Sequence, residues 1–213
     1  MVTAEEPRRL TLPPTTALVI SECQRGIVEP AGTVPALARQ VTARKVLDRV
    51  AELAEAFRAA VLPVVYCNIS HRPDLAGVLP NSLLGAMTLK RPRMLAGTDD
   101  VEVPEPASPR PGDFISARAT GLTAFYGTDL DATLRLQGVS TLVVCGVSTD
   151  VALPGLALEA VNRGYTVVIP EDATAGTSKR AHEFMTSNLL AVVARVTSTA
   201  GVLVALRALT DRT

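Results

Sequence analysis

The sequence predicts one α/β domain, a mostly parallel β-sheet covered by helices on both faces. Three observations carry that expectation. Short apolar runs of strand length alternate along the chain with longer stretches in which apolar residues recur at helical spacing. The short runs are apolar at successive positions, the pattern of strands buried on both faces. A chain of 213 residues with 47% apolar composition can fill one sizeable core. Right-handed crossovers between successive strands then make the sheet parallel. The domain is expected to span residues 1–213, with 1–15 a polar, proline-containing leader.

Ala17 to Ile20 reads as the first strand. It stops at Ser21-Glu22-Cys23-Gln24, and Gly26 and Pro30 open a loop. A carboxylate at the end of an apolar strand loses several kcal/mol of solvation unless it is paired or hydrogen-bonded, so Glu22 is either a functional acid or the anchor of a loop. From Pro35 to Ala60, Leu37, Val41, Val46, Leu47, Val50, Leu53, Ala54 and Phe57 predict one long amphipathic helix. Leu62 to Asn68 is a second buried strand. In the polar loop that follows, His71 and Arg72 either contact a ligand or lie exposed. Residues 74–112 hold many of the prolines and little periodicity beyond a short helix around Ser82 to Leu89. Such a segment in a compact domain is a lid, a binding loop or a subunit contact. Asp113 to Ala117 is a third strand, and a helix starts near Asp129, capped by Thr128, and ends before Gly138.

The stretch from Leu142 to Ala152 organises the rest. Leu142 to Val144 with Val147 read as a buried strand, Gly146 permits close backbone approach, and Ser148, Thr149 and Asp150 offer N-cap oxygens to a helix from Val151 to Asn162. In open α/β sheets, ligands bind beyond the carboxyl ends of such strands, at helix N-termini whose N–H groups attract anions. The alternative is a well-capped turn and nothing more. Arg163-Gly164 ends the helix, and Tyr165 to Ile169 is a fifth strand. A helix from Ser178 to Val193, with His182 expected at its surface, a strand at Arg195 to Thr197 and a helix from Ala200 to Leu209 complete the alternation.

The formal net charge is zero and no run of like charges occurs, so neither a nucleic acid nor an anionic membrane is expected as partner; small neutral or singly anionic molecules fit better. No apolar run reaches the roughly 18 residues of a membrane span, and the N-terminal stretch lacks the apolar core of a signal peptide, so a cytoplasmic protein is expected. Cys23, Cys67 and Cys145 each fall within or just after an apolar strand, which suits reduced, packed thiols rather than disulfides. No dinucleotide fingerprint, phosphate-binding loop or zinc-protease motif is present, and no metal or cofactor is expected.

Three stretches together resemble a known family: ALVISECQRG (Ala17 to Gly26), TAFYGTDLDATLR (Thr123 to Arg135) and VVCGVSTDVALPGLALEAVNRGYTVVIPEDATAG (Val143 to Gly176). They look like the isochorismatase-like hydrolases, also called the cysteine hydrolase superfamily. Typical strings there are an aliphatic run ending in D-x-Q, an A-F-x-G-T-x-L segment, and G-V-x-T-x-x-C-V followed by G-Y-x-V-x-V-x-x-D-A. The resemblance implies a three-layer α/β/α domain with a six-stranded parallel sheet of order 3-2-1-4-5-6, assembled as a homodimer or larger. In that order the first and fourth strands are neighbours, which puts Glu22 and the turn from Gly146 to Ala152 on two sides of one crevice.

The departures from the family pattern bear on chemistry. Amidase members use an Asp, a Lys and a nucleophilic Cys. Here Glu22 stands at the Asp position, Ala152 at the Cys position, and the Lys position falls near Ala119, beside Arg118. The Asp and His cluster of the metal-dependent nicotinamidases is also missing. A second branch of the family, the true isochorismatases, hydrolyses a vinyl ether without the cysteine, a strand-end acid protonating the enol-ether carbon. The resemblance therefore implies a cysteine-independent hydrolase of a small, anionic metabolite, with Glu22 as general acid, kept protonated by burial. Arg118, Arg72 and His71 are candidates to hold substrate carboxylates, with the helix start at Ser148, Thr149, Val151 and Ala152 as a neutral anion site. Gln24 is placed to orient the water or the acid, and Phe125 and Tyr126 to wall the pocket. Two other readings stand beside this one: a catalytically silent member that binds a small ligand or a protein, and amide hydrolysis by water that Glu22 activates.

Overall fold

The computed structural model describes residues 9–211. Of the expected leader, 1–8 lie outside the described residues. The central strand β1 (Thr16–Ser21) is buried along its whole length and pairs in parallel with β2 (Val64–Ile69) on one side and β4 (Thr141–Val147) on the other. β3 (Phe114–Arg118) extends the sheet beyond β2. β5 (Thr166–Pro170) and β7 (Arg195–Thr197) extend it beyond β4, giving the order β3-β2-β1-β4-β5-β7. This is the expected topology of six parallel strands.

Successive residues of β1 feed opposite cores. Leu18 and Ile20 pack toward α3 (Val46–Ala59) and α9 (Thr199–Thr210), with Val50, Leu53, Phe57, Val202 and Leu206. Ala17 and Val19 pack toward α5 (Leu130–Leu136) and α6 (Ala152–Asn162), with Leu134, Leu153 and Leu156. Each such side chain, fully buried, contributes on the order of 1.5–3 kcal/mol, and two-sided burial is why these strands read as continuous apolar runs.

Several local expectations are corrected. After the short α1 (Arg25–Val28), the single helix expected over Pro35 to Ala60 is two, α2 (Pro35–Ala43) and α3, broken where Lys45 takes the left-handed conformation at φ 54°. At the break, Arg44 donates from Nε to the Thr174 carbonyl at 3.0 Å and from Nη2 to the Glu171 carbonyl at 2.9 Å, tying the corner to a distant strand. The five-residue step from Val41 to Val46 is the trace of this break in the sequence. The helix expected over Ser178 to Val193 is likewise two, α7 (Lys179–Ser187) and α8 (Leu189–Val193), broken at Asn188. Asp129, not Thr128, takes the cap position of α5: Thr128 donates to the Ala124 carbonyl at 2.7 Å and accepts only a long 3.4 Å bond from Leu130 N–H.

The sheet holds one strand more than expected. After β5, a 3-10 turn at Glu171–Ala173 turns the chain back, and β6 (Thr174–Ala175) pairs with the carboxyl end of β4 at Gly146 and Val147. Two residues give no periodicity to read. Within 74–112, α4 (Leu83–Lys90) buries none of its residues, whereas Met94, Val103 and Ala107 join the core and the Arg93–Asp100 ion pair, at 2.6 Å, braces the corner between them.

Candidate active site

Glu22 directly follows β1 and is held from the carboxyl ends of β2 and β3. Its backbone is left-handed at φ 51°, and its N–H donates to the Cys67 carbonyl of β2 at 2.9 Å. The carboxylate meets Arg118, the last residue of β3, with Nη2 to Oε1 at 2.8 Å and side-chain exposures of 6% and 12%. Arg118 also donates from Nε to the Gly121 carbonyl at 3.3 Å. Burial raises the carboxyl pKa of Glu22 above its ordinary value, and the positive charge of Arg118 opposes without reversing that effect. The strand-end acid and the arginine beside the family's lysine position are therefore brought together, one against the other.

Across β1 from this pair lies the turn at the end of β4. Gly146 sits at φ 95°, and a Cβ there would stand 2.3 Å from the Ser21 carbonyl oxygen, so the position requires glycine on both counts. Ser21 Oγ donates to the Val147 carbonyl at 2.9 Å, fastening β1 to the turn. Of the expected capping oxygens of α6, those of Thr149 and Asp150 are engaged elsewhere, and Ser148 takes part through its main-chain carbonyl, which accepts from Leu153 N–H at 3.0 Å. Val151 occupies the cap position and no side chain caps the helix. The Asp150 carboxylate accepts from Thr177 N–H at 2.7 Å, and the Thr149 hydroxyl faces His182. Ala152, the first residue of α6, is buried at this end of the sheet.

The remaining sequence candidates divide. Gln24 is fully buried, and its amide is committed to main chain: Nε2 donates to the Ile69 carbonyl at 2.7 Å and the Val101 carbonyl at 2.9 Å, and Oε1 accepts from Ile69 N–H at 2.7 Å. It clamps the loop after β1 to β2 and to the 94–107 segment. His71 directs Nδ1 to the Ala119 carbonyl at 2.7 Å, next to Arg118. Arg72 lies exposed and is paired with Asp74 at 2.7 Å. Phe125 packs between Tyr165, at 6.1 Å between ring centroids, and the Arg163 guanidinium at 4.5 Å, in the core on the α6 side of the sheet. Tyr126 is exposed, its ring lying where a Cβ on Gly121 would fall.

The sequence reading missed two features. His182 is not at the surface: it is 1% exposed, with Nδ1 3.3 Å from Thr149 Oγ1 and Nε2 3.2 Å from Glu171 Oε2. The signal for its burial is its four-residue spacing to Thr186 and Leu190, both buried. Asn68, at the end of β2, is buried with no hydrogen-bond partner for its side-chain carbonyl oxygen among the described residues. All three cysteines are buried, and burial pushes their thiols up, Cys23 and Cys67 to about 12 and Cys145 well above the ordinary value. Among the described residues no cluster of His, Cys, Asp and Glu suits a metal ion, and no helix is long and apolar enough to cross a membrane.

A parallel α/β sheet with a buried acid at its central crevice defines a class, and comparison with known proteins gives the family. The isochorismatase domain model matches residues 16–201. The chain is 34% identical over 201 residues to the uncharacterized isochorismatase family protein YecD of Escherichia coli O157:H7, covering 90% of this chain and 96% of that one. It is 28% identical over 188 residues to the ureidoacrylate amidohydrolase RutB of Methylobacterium radiotolerans, covering 82% and 72%. Among solved structures, a cysteine hydrolase from Pseudomonas syringae pv. phaseolicola 1448A superposes with a TM-score of 0.82 at 25% identity, over 97% of this chain and 99% of that one. The chain belongs to the isochorismatase family of hydrolases.

Proposed function

We propose that the chain hydrolyses a small, anionic enol ether without a cysteine nucleophile, with Glu22 as general acid. The observation that carries this reading is the buried Glu22 carboxyl, raised in pKa although Arg118 stands 2.8 Å away. Burial moves this acid in the direction that protonation of an enol-ether carbon requires, toward keeping its proton at higher pH than an ordinary carboxyl. The cysteines support the same reading: residue 152 is alanine, and a thiol pushed up to about 12 is almost never a thiolate at neutral pH.

Arg118 gives substrate binding a direct effect on the acid. An anionic substrate that engages the guanidinium draws off the one charge that lowers the Glu22 pKa, so binding itself favours the protonated carboxyl. Glu22 then passes its proton to the enol-ether carbon, leaving an oxocarbenium ion. Water adds to the cation, the hemiketal collapses to a ketone and an alcohol, and the proton shed by the water restores Glu22. At the start of α6 the Leu153 N–H is taken by the Ser148 carbonyl and Pro154 has none, so it is the Ala152 N–H that is offered to a second anionic group, and the orphaned Asn68 oxygen calls for a donor from a bound molecule.

A second reading, amide hydrolysis by water that Glu22 activates, is favoured by the likeness to RutB, which is named a ureidoacrylate amidohydrolase. The experiment is turnover of isochorismate and of ureidoacrylate by the full chain and by Glu22→Gln. The first reading expects isochorismate to be consumed and the variant to be at least about a hundredfold slower. Equal rates in the two proteins remove Glu22 as the acid, turnover of ureidoacrylate alone selects the amide reading, and no turnover of either leaves a ligand-binding member.

A further inference from the structure

Behind the turn that faces Glu22 lies a second buried polar cluster, which the chemistry above does not use. Thr149 is fully buried, and its N–H donates to the Ala175 carbonyl of β6 at 2.9 Å. Its hydroxyl stands 3.3 Å from His182 Nδ1, and His182 Nε2 stands 3.2 Å from the Glu171 carboxylate. Gly176 closes the cluster from above, since a Cβ there would lie 2.6 Å from Thr149 Oγ1.

We propose that His182 is a positioning residue for the 148–151 turn, holding Thr149 from behind as a neutral ring that carries its proton on Nε2. A carboxylate only accepts hydrogen bonds, so the nitrogen beside Glu171 is the N–H. Nδ1 is then an acceptor, and the Thr149 hydroxyl donates to it. An imidazolium donates from both nitrogens, so charging the ring takes away the acceptor and obliges the hydroxyl to turn its proton elsewhere. The bond to Thr149 then reverses, Nδ1–H donating to Oγ1, and the buried hydroxyl proton must find another acceptor in a turn still held by the main-chain bond to Ala175 and by Asp150 on Thr177 N–H.

The charged groups around the ring are Glu171 from the 3-10 turn, Arg44 from the end of α2 and Glu183 from its own helix. Burial disfavours the charged ring most, Arg44 adds to that effect, and the two glutamates oppose it, with the pKa lowered on balance. Arg44 also reaches the Glu171 carboxylate at 3.3 Å, so the acid that orients the ring is itself held by a cation.

The chain has two histidines, which makes a direct test practical. In the 15N-labelled full-length protein, with His71→Gln to assign the rings, His182 is expected to be neutral and unprotonated on Nδ1 at about pH 6.5, the ordinary histidine midpoint. On acidification the backbone amides of Thr149 to Ala152 are expected to shift with the same midpoint as the His182 ring. Glu171→Gln removes an anion that favours the imidazolium, so it should lower both midpoints together by about half a pH unit or more. A ring protonated on Nδ1, a ring charged at that pH, or turn amides indifferent to the ring's titration overturns the proposal.

The effect on turnover rests on the reading of Glu22 given above. The acid limb of kcat for isochorismate should follow the His182 midpoint and move with Glu171→Gln, while the alkaline limb set by Glu22 stays in place. An acid limb that ignores Glu171→Gln also overturns the proposal. Glu22→Gln should slow turnover at least about a hundredfold and leave the His182 titration unchanged. A chain that turns over nothing therefore defeats the Glu22 reading and leaves the spectra to decide on His182.

Discussion

Two buried ionisable groups flank the crevice, and they are stabilised in different ways. Glu22 meets a full opposite charge on Arg118, and the pair closes the carboxyl ends of β1 and β3. His182 meets a hydroxyl on one side and on the other a carboxylate that Arg44 partly neutralises. Burial pushes each group toward its neutral form, which raises the pKa of the acid and lowers that of the base. The difference lies in what an arriving anion does. On the proposed function it competes for Arg118, whereas the histidine cluster lies on the far side of Thr149. The first region suits chemistry on a substrate, the second suits holding the surface on which that substrate rests.

The largest effect is expected where the two regions join. Gly146→Ala places a Cβ 2.3 Å from the Ser21 carbonyl at a φ of 95°, and adds backbone strain to overpacking between β1 and β4. A loss of about 2–6 kcal/mol in urea unfolding is expected, because each of the two effects costs on the order of 1–3 kcal/mol. A loss below about 1 kcal/mol would mean that β1 and the turn are not held this closely. Next comes Arg118→Met, which leaves the Glu22 carboxyl buried with no counter-charge. Breaking such a pair costs on the order of 3–5 kcal/mol while the remaining partner stays charged, and less once that partner takes a proton. The loss at pH 8 should therefore exceed the loss at pH 5, and Glu22→Gln in the same chain should recover part of it. Equal losses at both pH values would show that Glu22 is not buried beside the arginine.

The Glu22 region was legible in the sequence and the His182 region was not, for a physical reason. A carboxylate directly after the apolar run of β1 breaks a local pattern, and Gly146 in an apolar run does the same. Fold and crevice followed from the strand and helix alternation and the family strings. His182 lies on a helix whose other residues are mostly polar, so its spacing to the buried Thr186 and Leu190 is a faint signal, and the partners that hold its ring, Thr149 and Glu171, are remote in the chain. The corner at Arg44 is hidden for the same reason, since its partners at Glu171 and Thr174 are remote in the chain. Gln24 shows the converse limit. Its place beside Glu22 suggested a role with water, but only the fold reveals the three main-chain groups that take up its amide.

The smallest effect compares the two regions by the sign of their pH dependence. Glu22 has a folded pKa above its ordinary 4.5, so above that pH the folded chain keeps a proton that the unfolded chain has lost, and stability falls as pH rises through the folded value. His182 has a folded pKa below its ordinary 6.5, so as pH falls below 6.5 the unfolded chain takes up a proton first, and stability is lost down to the folded value. Each slope is limited to about 1.4 kcal/mol per pH unit for one proton. Glu22→Gln should therefore remove the decline that runs from pH 4.5 up to the folded value, and where the two windows overlap below pH 6.5 it should leave the histidine's acid-side loss unopposed. Glu171→Gln should carry the acid-side loss to lower pH, since the histidine then charges later in the folded chain. Urea midpoints from pH 4.5 to 8.5 read both, and a slope left unchanged by Glu22→Gln would show that this carboxyl holds its proton no more tightly in the folded chain than in the unfolded one, which the proposed proton donation does not survive.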